Sequence, residues 1–266
     1  MTRRWLGLAG ALALSILAGS ATAQDMMSGI DLTSDAFTKA EMSRSDLEAQ
    51  LAKLKPGDVL DLSAKSLNGL DLSKMDLRRT KLQSARINKV NLSGANLEGV
   101  VLDQAWALDA EMSGVKLKGA SLFATQLRGA KLDGADFTDA RVAGDFTNAS
   151  MRNAKLDGAD LSADEKNQSM GLMRGAFKSA NLEGASFRGA NMARVFLEFA
   201  SLKGADLTGA NLRGSELAAA DFSGADVAGA NFDGADVNSA KLGGIKNLSA
   251  AKNFDKVKNL DRARRD

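Results

Sequence analysis

Large apolar residues recur with a period of five along most of the chain, and few backbone conformations can bury residues at that spacing. They occupy every fifth position from Leu62 to Val142, shift register by one from Phe146 to Leu161, and resume from Leu172 to Leu242. All but Ala107 of these 36 central positions hold Leu, Ile, Val, Met or Phe. Ala stands two residues before 22 of the centres, and Gly stands two residues after 18 of them. We therefore expect one structural unit repeated along the chain.

Neither an α-helix nor a flat strand can bury residues that lie five apart. Steps of five rotate about 140° round a helix axis, and on a strand they send alternate residues to opposite faces. The spacing instead predicts a chain that turns a corner every five residues, with Gly at a corner position of positive φ. Four corners close a square coil of about 20 residues, and such coils stack at the β spacing of about 4.8 Å.

The predicted architecture is an all-β solenoid whose central residues point inward. The small Ala before each centre leaves room for the large side chains inside a narrow square. The 36 units of five residues correspond to about nine coils. At the β spacing they form a rod about 43 Å long.

The repeat is most regular in two stretches: residues 179–190 read SANLEGASFRGA, and residues 200–214 read ASLKGADLTGANLRG. They resemble the pentapeptide-repeat family, whose motif is A-(D/N)-L-x-x, and the resemblance extends over about residues 60–244. It implies a right-handed quadrilateral β-helix. It implies no particular activity, because the family has no shared catalytic residues.

Residues 1–23 have the three-part pattern of a cleaved secretory signal. Arg3 and Arg4 precede an apolar stretch over residues 5–17, and small residues follow up to Ala23. A membrane anchor is the alternative, but this stretch is shorter than the roughly 20 residues of a span. The paired arginines also resemble a twin-arginine signal, although Sec export is favoured. We expect a periplasmic or secreted protein with no transmembrane span after cleavage.

Short helical caps are expected at both ends, since a solenoid otherwise exposes apolar core and unpaired strand edges. Residues 24–59 form the predicted N-terminal cap, in which Ser45 and Glu48 make a capping box. Residues 245–266 form the predicted C-terminal helix and tail. Ser249 would begin this helix, with Phe254, Val257 and Leu260 on one face. The helix either caps the rod or joins two copies into a homodimer.

The 266-residue chain contains no His and no Cys. This composition excludes a Ser-His-Asp triad, a thiolate nucleophile, a disulfide framework and His- or Cys-ligated metal. The carboxylates occupy regular outward positions without the sign of a pocket. We therefore expect a non-enzymatic protein with no catalytic residues, no cofactor and no metal.

Four aromatic residues depart from the repeat and are the candidate partner-contact residues. Trp106 and Phe196 stand where an outward Asp or Asn is usual, Phe123 follows a centre, and Phe199 occupies a corner where Gly is usual. Exposed aromatic side chains are typical of contact surfaces. The alternative is a local bulge that swings each ring inward, or isolated exposure without function. Phe196 and Phe199 together are the strongest candidates.

Charge suggests a second candidate surface. Five bases occur without an acid between residues 78 and 89, whereas residues 201–240 hold six acids and two bases. The candidate basic patch consists of Arg78, Arg79, Lys81, Arg86 and Lys89. An anionic partner could dock there, although solvated faces of a neutral protein are the favoured reading. A polar break at residues 162–171 is expected to protrude as a loop, which is either a binding element or a tolerated insertion.

The favoured function is an exported, non-enzymatic scaffold that mediates protein–protein interaction in the bacterial envelope, with a protein partner not named by the sequence. The resemblance offers one alternative, a DNA mimic that protects a topoisomerase. That role requires a cytoplasmic, strongly negative rod. Removal of residues 1–23 leaves 33 bases and 33 acids, so both the signal and the neutral charge disfavour it. No nucleic-acid partner is expected.

Overall fold

A computed structural model of the chain describes residues 29–163 and 173–265. Residues 31–266 form one compact unit, and residues 1–30 form a separate unit of which only Gly29 and Ile30 are described. The predicted signal over residues 1–23 lies outside the described residues. So does most of the polar break, together with Leu172, where the sequence pattern resumes.

The compact unit is a solenoid held together by parallel backbone bridges between coils. Strands β1 (Leu60–Asp61) and β2 (Thr80–Lys81) pair in parallel, so that Asp61 lies opposite Lys81. Single bridges then continue at every fifth residue, and most join positions 20 residues apart. Four bridges therefore belong to each coil, as the period of five predicts.

The predicted core is confirmed. Every described central residue from Leu62 to Leu242 is buried, and Leu242 is the most exposed of them at 5%. The Ala residues before the centres are buried beside them. Large rings fill the interior where they occur, as in the stacked pair Phe146 and Phe177, whose centroids are 4.9 Å apart. One continuous apolar column therefore runs along the rod.

The corners have the positive φ that the Gly spacing predicts, for example φ 65° at Gly94. Non-Gly residues adopt the same conformation at many other corners. Gly144 serves a different purpose, since its coil has 19 residues and the bridge joins Gln126 to Asp145. A Cβ on Gly144 would lie 2.6 Å from the backbone oxygen of Thr125. The shortened side therefore needs Gly for close backbone approach.

The polar break is an insertion within one coil. Asp145 bridges to Ala176, which is 31 residues further along the chain. The backbone N–H of Gly175 donates to the oxygen of Leu161 at 2.9 Å, so the chain rejoins the solenoid at once. The described repeat continues from Phe177.

Two helices precede the solenoid, α1 (Asp35–Thr38) and α2 (Arg44–Ala52). The predicted capping box of Ser45 and Glu48 is wrong, because the N-cap of α2 lies two residues earlier, at Ser43, which forms the capping box with Asp46. The chain enters α2 from Ala40, which bridges antiparallel to Leu67, and this contact fixes where the helix begins. Leu47 of α2 is fully buried and belongs to the apolar core.

The C-terminal segment continues the solenoid with a period of six, so the prediction of a single helix there is wrong. Three 3-10 helices occur at Leu248–Ala250, Phe254–Lys256 and Leu260–Arg262. Bridges join this segment to the preceding coil at Lys246, Lys252, Lys258 and Arg264. We call residues 245–265 the final coil. No helix in the described ranges is long and apolar enough to cross a membrane.

An Asn side chain sets the geometry of each six-residue side. The Asn before each 3-10 helix has left-handed φ, which turns the chain before an α-helix can propagate. The amide nitrogens of Asn247, Asn253 and Asn259 donate to the preceding coil at 2.8–2.9 Å. Their acceptors are side-chain oxygens of Asp226, Asn231 and Asp236. Regular bonds across the coils therefore hold the six-residue sides in place.

Candidate functional site

One column of bridges carries both outward aromatic residues of the repeat. We call this column the aromatic face. It consists, in order, of Ser66, Arg86, Trp106, Gln126, Asp145, Ala176, Phe196, Glu216, Asp236 and Lys258. Trp106 and Phe196 are separated by four coils, or about 19 Å at the β spacing. The repeat thus aligns two residues that lie 90 positions apart in the sequence.

The early half of the aromatic face is covered by the N-terminal segment. The ring of Phe37 packs edge-on against Trp106, with centroids 5.2 Å apart. The Arg86 guanidinium donates to the backbone oxygen of Ala36 at 2.7 Å and pairs with Glu41 at 3.2 Å. Asn88 also donates from its side chain to the oxygen of Phe37, at 3.3 Å. Trp106 is therefore half-buried by an intramolecular contact.

Glu41 joins this segment to two coils. Its Oε1 accepts from the backbone N–H of Ser66 at 3.1 Å and from Arg86 at 3.2 Å. Its other oxygen pairs with Lys65 at 3.3 Å. The Ser66 N–H, followed by Lys65, holds the pKa of the Glu41 carboxyl below its usual value. The Glu41 carboxylate thus holds the N-terminal segment to two coils through charged contacts.

The late half of the face is built round Phe196. The guanidinium carbon of Arg174 lies 3.4 Å above the centroid of the Phe196 ring. The Nη1 of Arg174 donates to the backbone oxygen of Arg194 at 3.0 Å, while its buried Nε has no hydrogen-bond partner. Desolvation lowers the pKa of the Arg174 guanidinium from its usual value. Phe196 is thus half-buried under a cation and not under a cap.

An open depression of about 440 Å³ adjoins this stacked pair. Four cations and two acids line it, namely Arg174, Arg194, Arg213, Lys258, Glu216 and Asp233. Arg213 and Asp233 pair loosely across it at 3.6 Å. The depression therefore presents a mixed but predominantly positive surface. It can accept a carboxylate or another anionic group beside an aromatic one.

Phe199 stands at the corner that follows Phe196 and is the most exposed aromatic side chain described, at 61%. Its φ is 62°, a conformation that is uncommon for a bulky residue. The repeat imposes this positive φ at the corner, where many other non-Gly residues have it as well. Phe196 therefore lies between the depression, which is lined by Arg194 and Gly214 of the corner before it, and the exposed ring of Phe199 at the corner after it.

Phe123 lies at a corner beside the covered half of the face. Its side chain is half-buried, and its backbone N–H donates to Oδ1 of Asp103 at 3.0 Å. The same Asp103 oxygen accepts from the hydroxyl of Ser121 at 2.5 Å. The structure thus gives Phe123 a fixed backbone, but no aromatic partner within the described residues.

The candidate basic patch is spread over three consecutive sides of the early coils. Arg78 pairs with Asp76 at 2.6 Å, and Arg79 donates to the backbone oxygens of Lys55 and Asp58. Arg86 belongs to the covered aromatic face, as described above. Lys81 and Lys89 extend from other positions, half-exposed and exposed respectively. The structure therefore does not bring the five bases into one cluster.

Two features of the site have little signal in the sequence. Arg174 follows the inserted segment, so its stacking on Phe196 depends on where the chain rejoins the solenoid. The six-residue period of the final coil is readable in Lys-Asn-Leu and Lys-Asn-Phe, which recur at residues 246, 252 and 258. Because this period is six, the segment does not align with the five-residue repeat of the preceding coils. Within the described ranges, no cluster of acidic residues has the geometry of a metal site.

Comparison with known proteins agrees with the repeat geometry. A family model described as pentapeptide repeats matches in eight copies over residues 61–162 and 180–245. Among solved structures, HetL of the cyanobacterium Nostoc, a pentapeptide repeat protein involved in heterocyst differentiation regulation, is 24% identical with a TM-score of 0.41. That match covers 84% of this chain and 94% of HetL.

Full-length QnrB1, a plasmid-mediated fluoroquinolone resistance protein, is 19% identical with a TM-score of 0.36. The match covers 73% of this chain and 95% of QnrB1. No curated protein sequence matches the chain significantly.

Proposed function

The chain belongs to the pentapeptide-repeat family, and from this premise we propose that it is an exported, non-enzymatic scaffold that binds a protein partner in the bacterial envelope. The scaffold is a right-handed quadrilateral β-helix of about nine coils. Its partner-binding surface is the late half of the aromatic face, centred on Phe196 and Phe199.

The observation that carries the proposal is the exposure of Phe199 at the corner that follows Phe196. A bulky ring that is 61% exposed and held at positive φ does not contribute to the apolar core. A partner that covers this ring and extends over Phe196 would bury apolar area and reach the cations of the depression on the other side of Phe196. Central aromatic anchors with charged surroundings are typical of binding hot spots.

The proposal of export rests on residues 1–23. Their charged start, short apolar stretch and small-residue end are typical of a signal peptide. The absence of Cys is compatible with export, since the fold then does not depend on the redox state of the compartment.

The proposal of a non-enzymatic role rests on the composition and on the site. The sequence offers no His or Cys for acid–base or nucleophilic chemistry. The depression is open and lined by arginines, a lysine and two carboxylates. Its groups are suited to recognition of charge and of an aromatic surface.

A photo-crosslinking experiment tests the partner surface. The photoreactive residue p-benzoylphenylalanine replaces Phe199 in the full-length chain, expressed in the native host. The matched control places the same residue at Trp106, which occupies the same face under Phe37. We expect a discrete crosslinked protein from position 199 and none from position 106. Equal crosslinking from both positions, or none from position 199, would contradict the proposed surface.

Thiol labelling tests export independently of the partner. The chain has no Cys, so Ser113→Cys in a middle coil provides a single exposed thiol outside the proposed partner surface. A maleimide that crosses the outer but not the inner membrane should label this variant in intact cells. Deletion of residues 2–23 should abolish that labelling while the lysed cells still react. Labelling only after lysis of the undeleted variant would show a cytoplasmic protein.

A further inference from the structure

The final coil ends the apolar column of the solenoid without burying it. Its apolar residues pack against the core but are only partly buried, whereas the central residues of the coils before it are buried. They are Ile245, Leu248, Ala251, Phe254, Val257, Leu260 and Ala263. Phe254 contacts Phe232 of the preceding coil edge-on at 5.2 Å. One side of this layer therefore rests on the core and the other belongs to the end of the rod.

A ring of cations surrounds that apolar end. Each of the four sides of the final coil carries one base at its bridge position, namely Lys246, Lys252, Lys258 and Arg264. All four side chains are exposed. Residues 245–265 hold seven bases and two acids in total. The chain from Gln24 onward is neutral as a whole, so this end is strongly positive and the remainder carries a net negative charge.

The acids of the preceding coil do not pair directly with this ring. Asp226 and Asp236 accept instead from the amides of Asn247 and Asn259, each at 2.8 Å. The Asn247 amide lowers the pKa of the Asp226 carboxyl. Within the described residues, none of the four ring cations forms an ion pair with a carboxylate at 4 Å or less. Lys246 and Asp226 attract each other only at longer range. The Asn side chains thus bond to the acids of the preceding coil, and the four cations remain exposed.

We propose that the final coil docks the rod end-on to an anionic lipid bilayer. The apolar residues would enter the headgroup boundary while the surrounding Lys and Arg side chains reach anionic headgroups, as in other interfacial anchors. Charge complementarity selects this occupant. A second copy docked end to end would bring two rings of cations together, which is unfavourable without added anions. This surface shares Lys258 with the aromatic face and the depression, so variants that keep Lys258 test the inference apart from the proposed partner.

Vesicle co-sedimentation tests the proposal with the chain from Gln24 onward, which contains the whole compact unit. The probes are vesicles of phosphatidylcholine alone and vesicles with added phosphatidylglycerol. We expect binding only to the anionic vesicles. The variant Lys252→Glu/Arg264→Glu should bind at least 20-fold more weakly, because each cation near an anionic surface contributes about fivefold to binding.

The matched control is Lys116→Glu/Lys155→Glu, which makes the same charge change at exposed bridge positions of the middle coils. The affinity of this control for anionic vesicles should stay within about two- to threefold of that of the unaltered chain. An equal loss of vesicle binding in both variants would show that binding depends on net charge alone, and this result would overturn the proposal. So would the absence of any preference for anionic vesicles. Thermal unfolding of each variant confirms that the fold is retained.

A fluorescent probe and a mass measurement distinguish other occupants. An environment-sensitive dye on Ser249→Cys should shift to the blue with anionic vesicles, whereas the same dye on Ser113→Cys in a middle coil should not. Light scattering reports the oligomeric state without lipid. A stable dimer that is strengthened by Lys252→Glu/Arg264→Glu would identify a second copy as the occupant and contradict the proposal. Binding to an acidic protein without binding to vesicles would contradict it as well.

Discussion

The two halves of the aromatic face start from the same structural position and end differently. Trp106 and Phe196 belong to one column of bridges, in slots where the repeat usually has a small polar residue. Trp106 is covered by Phe37, whereas Phe196 lies under the side chain of Arg174. This difference indicates that an outward aromatic residue of a solenoid can contact a partner only where no terminal segment of the chain packs on it.

The physical reason lies in the need to cap the start of the rod. The first coils offer open strand edges and apolar core, which the segment containing α1 and α2 covers. That segment requires anchoring points, and Trp106, Arg86 and Glu41 provide them. No such requirement exists at Phe196, in the interior of the rod. The late half of the face therefore remains accessible for a partner.

The largest expected difference between the halves is in stability. Trp106→Ala removes a half-buried ring and its edge-on contact with Phe37, and should lower the free energy of unfolding by about 2–3 kcal/mol. Phe199→Ala should change it by less than about 0.5 kcal/mol, because surface substitutions have small effects. Urea unfolding followed by circular dichroism measures both. Equal destabilisation by the two variants would show that the two halves are not distinguished by coverage.

The stacked pair in the late half should have a smaller, specific coupling. In a double-mutant cycle of Arg174→Ala and Phe196→Ala, we expect an interaction free energy of about 1 kcal/mol. Arg174→Lys should lose most of this coupling, since an ammonium cannot stack as a planar guanidinium does. Additive effects of the two alanine substitutions would mean that Arg174 does not cover Phe196 in solution.

Phe199 offers the opposite test, a substitution that should stabilise the protein while removing the proposed contact. Its left-handed backbone conformation costs a non-Gly residue roughly 1 kcal/mol, which Gly avoids. Part of this gain is offset by the greater chain entropy of Gly in the unfolded state. We expect Phe199→Gly to raise the free energy of unfolding by about 0.5 kcal/mol in urea titration. Co-purification of the protein identified by crosslinking at position 199 should be lost at the same time.

A matched substitution separates strain from the ring itself. Gly204 already occupies the next corner with φ 63°, so Gly204→Ala introduces strain where Phe199→Gly relieves it. A Cβ at Gly204 meets no atom within 4 Å, and any loss of stability there reports backbone conformation alone. Opposite signs for the two substitutions are the expected result. If Phe199→Gly is destabilising while Gly204→Ala is too, the Phe199 ring contributes to the fold and not only to a contact.

The repeat itself could be predicted from the sequence because its causes are local. Burial of Leu62 through Leu242 at steps of five, and positive φ at corners such as Gly94, follow from chain geometry and side-chain volume. The start of α2 could not be predicted as well. Both Ser43 with Asp46 and Ser45 with Glu48 have capping spacing, and the bridge from Ala40 to Leu67 decides between them.

The candidate site was predictable only in part, because coverage is a long-range property. The sequence identifies Trp106 and Phe196 as equivalent departures from the repeat. It does not show that Phe37, 69 residues earlier, packs on the first. The final coil illustrates a second cause. Asn247 and its equivalents bond to the preceding coil, so a segment with helix-like spacing forms another turn of the solenoid.

The smallest predicted effect is the pH dependence of the covered half. The folded-state pKa of Glu41 is lowered by the Ser66 N–H and by Lys65, so its ionised form stabilises the docked cap. This contribution is present above the usual pKa of about 4.5 and is lost as the pH falls through the lower folded value. In Glu41→Gln, thermal unfolding should therefore depend less on pH in this acidic range. Glu98→Gln, an exposed change outside the cap, should leave the dependence unaltered. If Glu41→Gln also leaves it unaltered, the Glu41 carboxylate does not hold the cap, and the contacts of Trp106, Arg86 and Asn88 with residues 36 and 37 do so without it.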